Sequence, residues 1–330
     1  MTTRDSKSSP FAFSRGFPQL RALTLGVTLG FSAIAPPAAA EEARSPGESV
    51  VVRFAFSKAL FTDVNENDAK AAVKMYAKSI GDLNGIDTSG GAFFLDGTNE
   101  IAAALAQNQI DLISLTAEEF FTLESMGLEG PLLLPKINNG FTEEYVLLAR
   151  DGGPVRAVED LRGRGVILFS DARGSLGQTW LDVLCLEHGL GPASNALIKV
   201  KFASKGTQVI LPVFFGKTDA CVITRSGWEV MGELNPQVKK QLRIVAVSPP
   251  LVPVVTCFRR GFSATLMRRV IVATERSHSQ VSFQQLMAIF KADEIGHQPI
   301  ALLETTRQLT DARRHLAGLA PFSRVPSKEK

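Results

Sequence analysis

The sequence predicts an α/β fold built as two lobes, on three observations. From Ser49 onward, short apolar runs alternate with amphipathic stretches at helical spacing, the pattern of strands joined by crossover helices. The 330 residues exceed one small module and suit two lobes of roughly 100–150 residues each. Hydrophobic residues make up 45% and charged residues 21%, so the chain can bury a real core, and neither disorder nor a disulfide-stapled mini-fold fits.

Each element follows from its local pattern. Residues 50–56 read as a buried strand. A helix is expected over 67–80, where Ala69, Ala72, Val73, Tyr76 and Ile80 recur at three- and four-residue steps. Residues 92–95 read as a short strand, 99–107 as a helix with Ile101 and Leu105 inward, 110–115 as a strand and 117–126 as a helix. A strand over 144–149 runs into Arg150-Asp151-Gly152-Gly153-Pro154, a turn-rich break. A second series follows: strand 166–169, helix 175–187, strand 199–202, a helix over 208–215 reshaped by Pro212, and strand 220–224. Strand 242–247 enters the break Ser248-Pro249-Pro250, and 252–258 is another strand. The tail from Ala264 reads as helical, without strands of its own. Such a tail needs a sheet to cover, so the chain is expected to leave one lobe, build a second and return.

The first forty residues read as an address. Arg15 and Arg21 flank an apolar run that stops at Ala35, short of the ~20 residues a membrane span needs. Ala38 and Ala40 then give the A-x-A pattern of a signal-peptidase site, with cleavage expected after Ala40. No Cys follows for a lipid anchor and no paired arginines precede, so export unfolded into a bacterial periplasm is the reading. Arg4, Lys7, Arg15 and Arg21 against Asp5 account for the net charge of +3, so the remainder is formally neutral. Composition therefore gives no case for a nucleic-acid partner.

Enzyme chemistry finds no support in the motifs. Gly174-Ser175-Leu176-Gly177 lacks the residue that a G-x-S-x-G elbow places before its Ser. There is no phosphate-loop, H-E-x-x-H or dinucleotide fingerprint, and Gly163-Arg164-Gly165 reads as a turn. His188, His278, His297 and His315 read as surface residues. Cys185, Cys221 and Cys257 each sit among apolar neighbours and read as buried thiols, at spacings that suit no metal. No cofactor and no metal are expected.

What the sequence does offer is anion chemistry at two strand ends. Strand 166–169 enters Ser170-Asp171-Ala172-Arg173-Gly174-Ser175 and a helix begins there. Gly174 and Gly177 would let backbone approach a ligand, Ser175 brings a hydroxyl, and a helix N-terminus favours an oxyanion. The other reading of Ser175 is a simple helix cap. A second such turn, Ala203-Ser204-Lys205-Gly206-Thr207, adds a cation and another hydroxyl. Asp219 opens a strand and reads as structural.

Asp160-Leu161-Arg162-Gly163, the Gly174-Ser175-Leu176-Gly177 turn, Glu187-His188-Gly189-Leu190, Gly216-Lys217-Thr218-Asp219-Ala220, Leu242-Arg243-Ile244-Val245 and Ser248-Pro249-Pro250-Leu251-Val252-Pro253 follow one another over residues 159–259. In order and spacing this stretch resembles the phosphate, phosphite and phosphonate substrate-binding proteins of ABC importers. Asp96-Gly97-Thr98-Asn99-Glu100-Ile101 and Asn108-Gln109-Ile110-Asp111-Leu112 extend the likeness over the first lobe, so it covers most of 50–262. The chain departs from the family in several places. Phosphonate binders place Tyr near Thr98 and Leu115, a His where Lys205 stands, and an acid near Arg225-Ser226.

The resemblance implies a two-lobed type 2 periplasmic binding fold, hinged at about 148–153 and 248–254. Its expected organisation is a leader over 1–40, lobe one from 50–148 with 254–320, lobe two from 149–253, and a tail over 321–330. The implied ligand contacts are Ser57, Thr98 and Ser114 from the first lobe, and Gly174, Ser175, Leu176, Lys205, Thr207 and Ser226 from the second. The function implied is capture of a small oxyanion by hinge closure, by a monomer that delivers it to a membrane permease. A periplasmic protein of the same fold feeding a sensor kinase is the alternative, and an exported enzyme comes third.

Overall fold

The computed structural model describes residues 51–61, 65–138, 140–170 and 175–318. The expected leader over 1–40 and the tail over 321–330 lie outside these. The strands are β1 Phe54–Ser57, β2 Ala92–Leu95, β3 Leu112–Thr116, β4 Leu128–Lys136, β5 Tyr145–Arg150, β6 Gly165–Phe169, β7 Lys199–Ala203, β8 Ala220–Thr224, β9 Leu242–Val247, β10 Val254–Arg259 and β11 Glu294–Gln298. The helices are α1 Glu66–Asn84, α2 Gly97–Ala106, α3 Ala117–Leu123, α4 Ser175–Glu187, α5 Ala193–Ala196, α6 Gly206–Phe214, α7 Arg225–Leu234, α8 Pro236–Gln241, α9 Ala264–Arg276, α10 Val281–Phe290 and α11 Glu304–Leu316.

The strands form two sheets. The first has the order β11-β4-β10-β3-β1-β2, and the second β7-β6-β8-β5-β9. In the first sheet β1, β2 and β3 run parallel, while β10 and β11 join antiparallel. In the second, β6, β7 and β8 run parallel, and β5 and β9 are antiparallel. The chain thus leaves the first sheet after β4, builds the whole of the second, and returns with β10. Parallel strands need helical crossovers and are covered on both faces. Accordingly the described cores flank each sheet, around Phe54, Tyr76 and Phe258 on one face of the first and Ile113, Leu115 and Phe120 on the other.

Local sequence explains the element ends. Asn65 caps α1 by accepting from the amides of Asn67 and Asp68 at 2.9 and 3.3 Å, and Gly85, at φ +60°, closes it in the left-handed conformation. Pro212 does not break its helix, which ends two residues later. The expected 117–126 helix is α for its first part and finishes as a 3-10 turn, Glu124–Met126.

Three expectations need correction. The first passage between sheets falls at 137–144, not 148–153, because β5 is already registered on β8, with Val146, Leu147, Leu148 and Ala149 fully buried there. The second passage, 248–253, lies where expected, and the two are tied side by side by Glu143 and Leu251, which exchange backbone hydrogen bonds at 2.7 and 2.8 Å. The helical tail does contain a strand: β11 pairs along β4 over five residues. Finally, α11 does not belong to the first lobe alone. Its Leu309 packs in a core of the second sheet and Arg313 donates to Asp182 of α4 at 3.0 Å, while Arg307 reaches Glu124 at 2.5 Å.

Candidate ligand-binding cleft

The carboxyl ends of β1, β2 and β3 release a 3-10 turn, α2 and α3, and those of β6, β7 and β8 release α4, α6 and α7. Parallel strands align these ends, so each sheet presents a row of helix N-termini with open amides. The rows meet across the gap between the sheets: the Thr179 hydroxyl of α4 donates to Glu118 of α3 at 2.6 Å. Beside that contact lies a cavity of about 860 Å³. Thr98, Glu118 and Glu119 line it from the first lobe, Gln178, Thr179 and Asp182 from α4, and Arg313 and Arg314 from α11.

The first wall is locked by its own hydrogen bonds. Thr116 and Glu119 form a capping box at the start of α3: the Glu119 amide donates to Thr116 Oγ1 at 3.2 Å, and Glu119 Oε2 accepts from the Thr116 amide at 2.9 Å. Its other oxygen, Oε1, accepts from the Ser57 hydroxyl at 2.7 Å. Ser57 is fully buried. A hydroxyl so enclosed orients Glu119 and does not reach a ligand, which corrects its expected role. Ser114 is corrected too: it is buried on the α1 face of β3, 2.6 Å from Thr256 Oγ1. Of the first-lobe residues expected in the cleft, Thr98 alone lines the cavity, half-buried in the first turn of α2.

The second wall is more open, and Lys205, Thr207 and Ser226 are not among the residues that line the cavity, which is bounded on this side by α4, α5 and β7. Lys205 is the N-cap residue of α6 and Thr207 lies in its first turn; both are exposed. No described residue pairs with the Lys205 ammonium. Ser226, half-buried at the start of α7, donates to Thr224 Oγ1 at 3.3 Å, and Thr224 in turn caps α7 through the Gly227 amide. Arg225 forms an ion pair with Glu144 of the first crossover. Gly174 and the side chain of Ser175 lie outside the described residues. Leu176 is buried in the core beside Trp180, so only its backbone remains for a ligand. Gly177 is required by packing: a Cβ there would sit 3.0 Å from the Tyr145 ring. Asp219 accepts from the Gly165 amide at 2.9 Å, which is structural as read.

Sequence reasoning missed Glu118, Glu119 and Thr179. Thr116-Ala117-Glu118-Glu119 carries the T-x-x-E signature of a helix start and could have placed Glu119. Nothing local signals the Glu118–Thr179 contact, whose partners are 61 residues apart. Among the described residues no group of His, Cys, Asp and Glu could hold a metal ion, and no helix is long and apolar enough to cross a membrane. Burial pushes the thiols up, Cys185 to about 11 with Asp182 adding to it, so none is a ready nucleophile.

Two α/β lobes joined by two paired crossovers, with facing rows of helix N-termini, make this a type 2 periplasmic binding fold. Solved structures agree at the level of the fold. A Xanthomonas citri protein bound to ATP matches with a TM-score of 0.57 and 16% identity, over 82% of this chain and 99% of its own. A binding protein component of an ABC phosphonate transporter from Pseudomonas aeruginosa gives 0.52 and 14%, over 82% and 88%. PhnD1 from Prochlorococcus marinus in complex with methylphosphonate gives 0.52 and 11%, over 78% and 96%. No curated protein matches the chain. The family described as ABC transporter, phosphonate, periplasmic substrate-binding protein matches residues 62–298, and the chain belongs to it. It is thus a solute-binding protein and not an enzyme.

Proposed function

We propose that the protein captures a small organic oxyanion, phosphonate-like or a phosphate ester, and delivers it to a membrane permease. One observation carries this reading: α4, α6 and α7 start at the carboxyl ends of the neighbouring parallel strands β6, β7 and β8, with Lys205 and Thr207 exposed among them. Open amides at helix N-termini, a hydroxyl and a cation with no partner among the described residues suit a tetrahedral oxyanion. Ser175 and the Leu176 amide complete the set from α4. The first wall offers Glu118 and Glu119 instead, so the charged end belongs on the second lobe and the remainder of the ligand faces the first. The cavity of about 860 Å³ beside the Glu118–Thr179 contact does not include Lys205 or Thr207 in its lining, and it gives room for an organic substituent that extends away from the anion end.

Closure brings Glu118 onto Thr179, and the two crossovers at 137–144 and 248–253 are where the lobes turn. The protein works as a monomer, exported by a leader cut near Glu41. A thermal-shift screen against methylphosphonate, phosphite, phosphate, sulfate and simple carboxylates tests the ligand class, since a ligand of the folded state raises the melting temperature. A carboxylate as the sole stabiliser would sink the tetrahedral-oxyanion reading. Ser175→Ala, read by calorimetry and by melting, then separates a ligand donor from a helix cap: lost affinity supports the first, lost stability with affinity intact the second.

A further inference from the structure

The solvent face of α9 carries an arginine cluster that the cleft does not use. The helix buries Leu266, Val270, Ile271, Ala273 and Thr274. Past its first turn the exposed side is left with Arg268, Arg269, Val272, Glu275 and Arg276. Arg268, Val272 and Arg276 follow one another at four-residue steps, so they form a line along the helix with Arg269 beside it. A solvated helix face gains from acids set three or four residues from its bases. Here those places hold no acid. Glu275, the single acid of α9, stands seven residues from Arg268 and directly beside Arg276 in sequence.

The three arginines, with Val272 and with Asn84 of α1, line a shallow concavity of about 420 Å³. One of the forks is held in place. The Arg269 guanidinium donates to the carbonyls of Asn84 and Gly85 at 2.9 and 2.7 Å, where α1 ends and leaves its last carbonyls open. Arg268 and Arg276 make no ion pair with any described residue, so their forks keep all their donors. Like charges gathered without a counter-charge are relieved by an anion. Planar guanidinium groups match the oxygens of a phosphate two at a time.

We propose that the concavity between α9 and the C-terminal end of α1 is a second anion site that takes a dianionic phosphate group. The group is presented either by a soluble phosphate ester or by a lipid headgroup; the chemistry recognised is the same. The site stands on helices that line no part of the cleft cavity, so it operates whether the cleft is empty or filled.

The test uses the purified chain, the Arg268→Ala/Arg276→Ala pair, the Arg268→Lys/Arg276→Lys pair and Lys205→Ala. Phenyl phosphate is titrated by calorimetry, and vesicles of equimolar phosphatidylcholine and phosphatidic acid are tested by co-sedimentation. The alanine pair should bind at least one of these probes roughly tenfold more weakly, or worse, than the parent. The lysine pair should fall between them, because it keeps the charge and loses the fork. Lys205→Ala should weaken only the cleft's share of phenyl phosphate binding and leave the component that the alanine pair removes, which separates this site from the cleft. Loss in the calorimetric arm assigns a soluble ester, and loss confined to the vesicle arm assigns a headgroup. Both arginines are exposed, so melting temperatures should match the parent's. If neither probe binds the parent, if the alanine pair binds as tightly, or if Lys205→Ala alone weakens binding, the site does not exist.

Discussion

Ser57 and Lys205 stand at equivalent places, each just past or at the carboxyl end of a parallel strand, yet their surroundings differ. Ser57 is fully buried and gives its hydroxyl to Glu119. Lys205 is exposed at the start of α6. The same contrast runs through the two lobes. Beside exposed pairs such as Lys70–Glu66, the first holds buried charge clusters: Asp111 accepts from Arg53 at 2.8 Å and from Arg259 at 3.3 Å, and Arg307 is buried on Glu124 and over the Phe121 ring. In the second lobe the ion pairs Arg164–Asp219 and His188–Glu159 lie at the surface. A wall whose polar groups are already satisfied is a stiff platform, whereas open donors must find their partner in a ligand or in water. On this contrast the first lobe frames the cleft and the second holds the anion.

The largest effect expected is from Asp111→Asn, which should cost about 3–5 kcal/mol by leaving Arg53 and Arg259 facing a neutral amide. Burial pushes the Asp111 carboxyl up, but its hydrogen bonds to Arg53 and Arg259 outweigh this and hold it below the usual carboxylate range. A lowered folded-state value means that its contribution is complete above the unfolded value and is lost as pH falls through the folded one. The parent should therefore lose stability over that acid window, and the variant should lose less. Equal melting temperatures at neutral pH would show that the first lobe does not rest on this cluster.

Glu119→Ala comes next, at about 2 kcal/mol, since it removes half of a capping box and strands the buried Ser57 hydroxyl. Affinity for the oxyanion should change little. A collapse of affinity with the melting temperature intact would reverse the assignment of the two walls.

Lys205→Ala should instead spare stability and cost roughly tenfold in affinity, an effect that shrinks as salt is raised. Calorimetry at two ionic strengths reads it. Unchanged affinity at low salt would remove the cation from the second wall.

Much of this organisation was legible because burial writes itself into sequence. The apolar runs of β1, β3, β6 and β8 and the spacing of α1 announce elements packed on two sides. β4 was not read from the sequence: it carries Pro131 and Pro135, and prolines are rare inside strands; Pro131 falls where its pairing with β10 shifts register, and Pro135 stands opposite Ile295 of the edge strand β11. β11 was hidden by its composition: Glu-Ile-Gly-His-Gln at a sheet edge has no apolar run to signal it. β5 was read as a strand, but its sheet depends on pairing with β8 and β9, which no local pattern encodes. The cleft divided in the same way. Lys205 and Thr207 could be placed at a strand-to-helix turn from sequence alone, while the burial of Ser57, Ser114 and Leu176 depends on which face of each element meets the core.

The smallest effect tests how the walls meet. Thr179→Val keeps the side chain's shape and removes the hydroxyl that Glu118 accepts at 2.6 Å. Thr179 is buried and Glu118 half-buried, so water can replace the lost donor on the carboxylate and the cost should stay at about 0.5–1.5 kcal/mol. Because this contact joins α3 to α4 across the gap, that energy should appear in the balance between open and closed lobes more than in unfolding. α11 supplies separate ties through Arg307–Glu124 and Arg313–Asp182, so the lobes remain associated in the variant. Small-angle scattering of the unliganded protein should then show a larger radius of gyration for Thr179→Val than for the parent, with the two converging once ligand saturates the cleft. Should the variant lose melting temperature with no change in scattering, the contact is part of the α4 packing, and closure is governed by the crossovers and α11 alone.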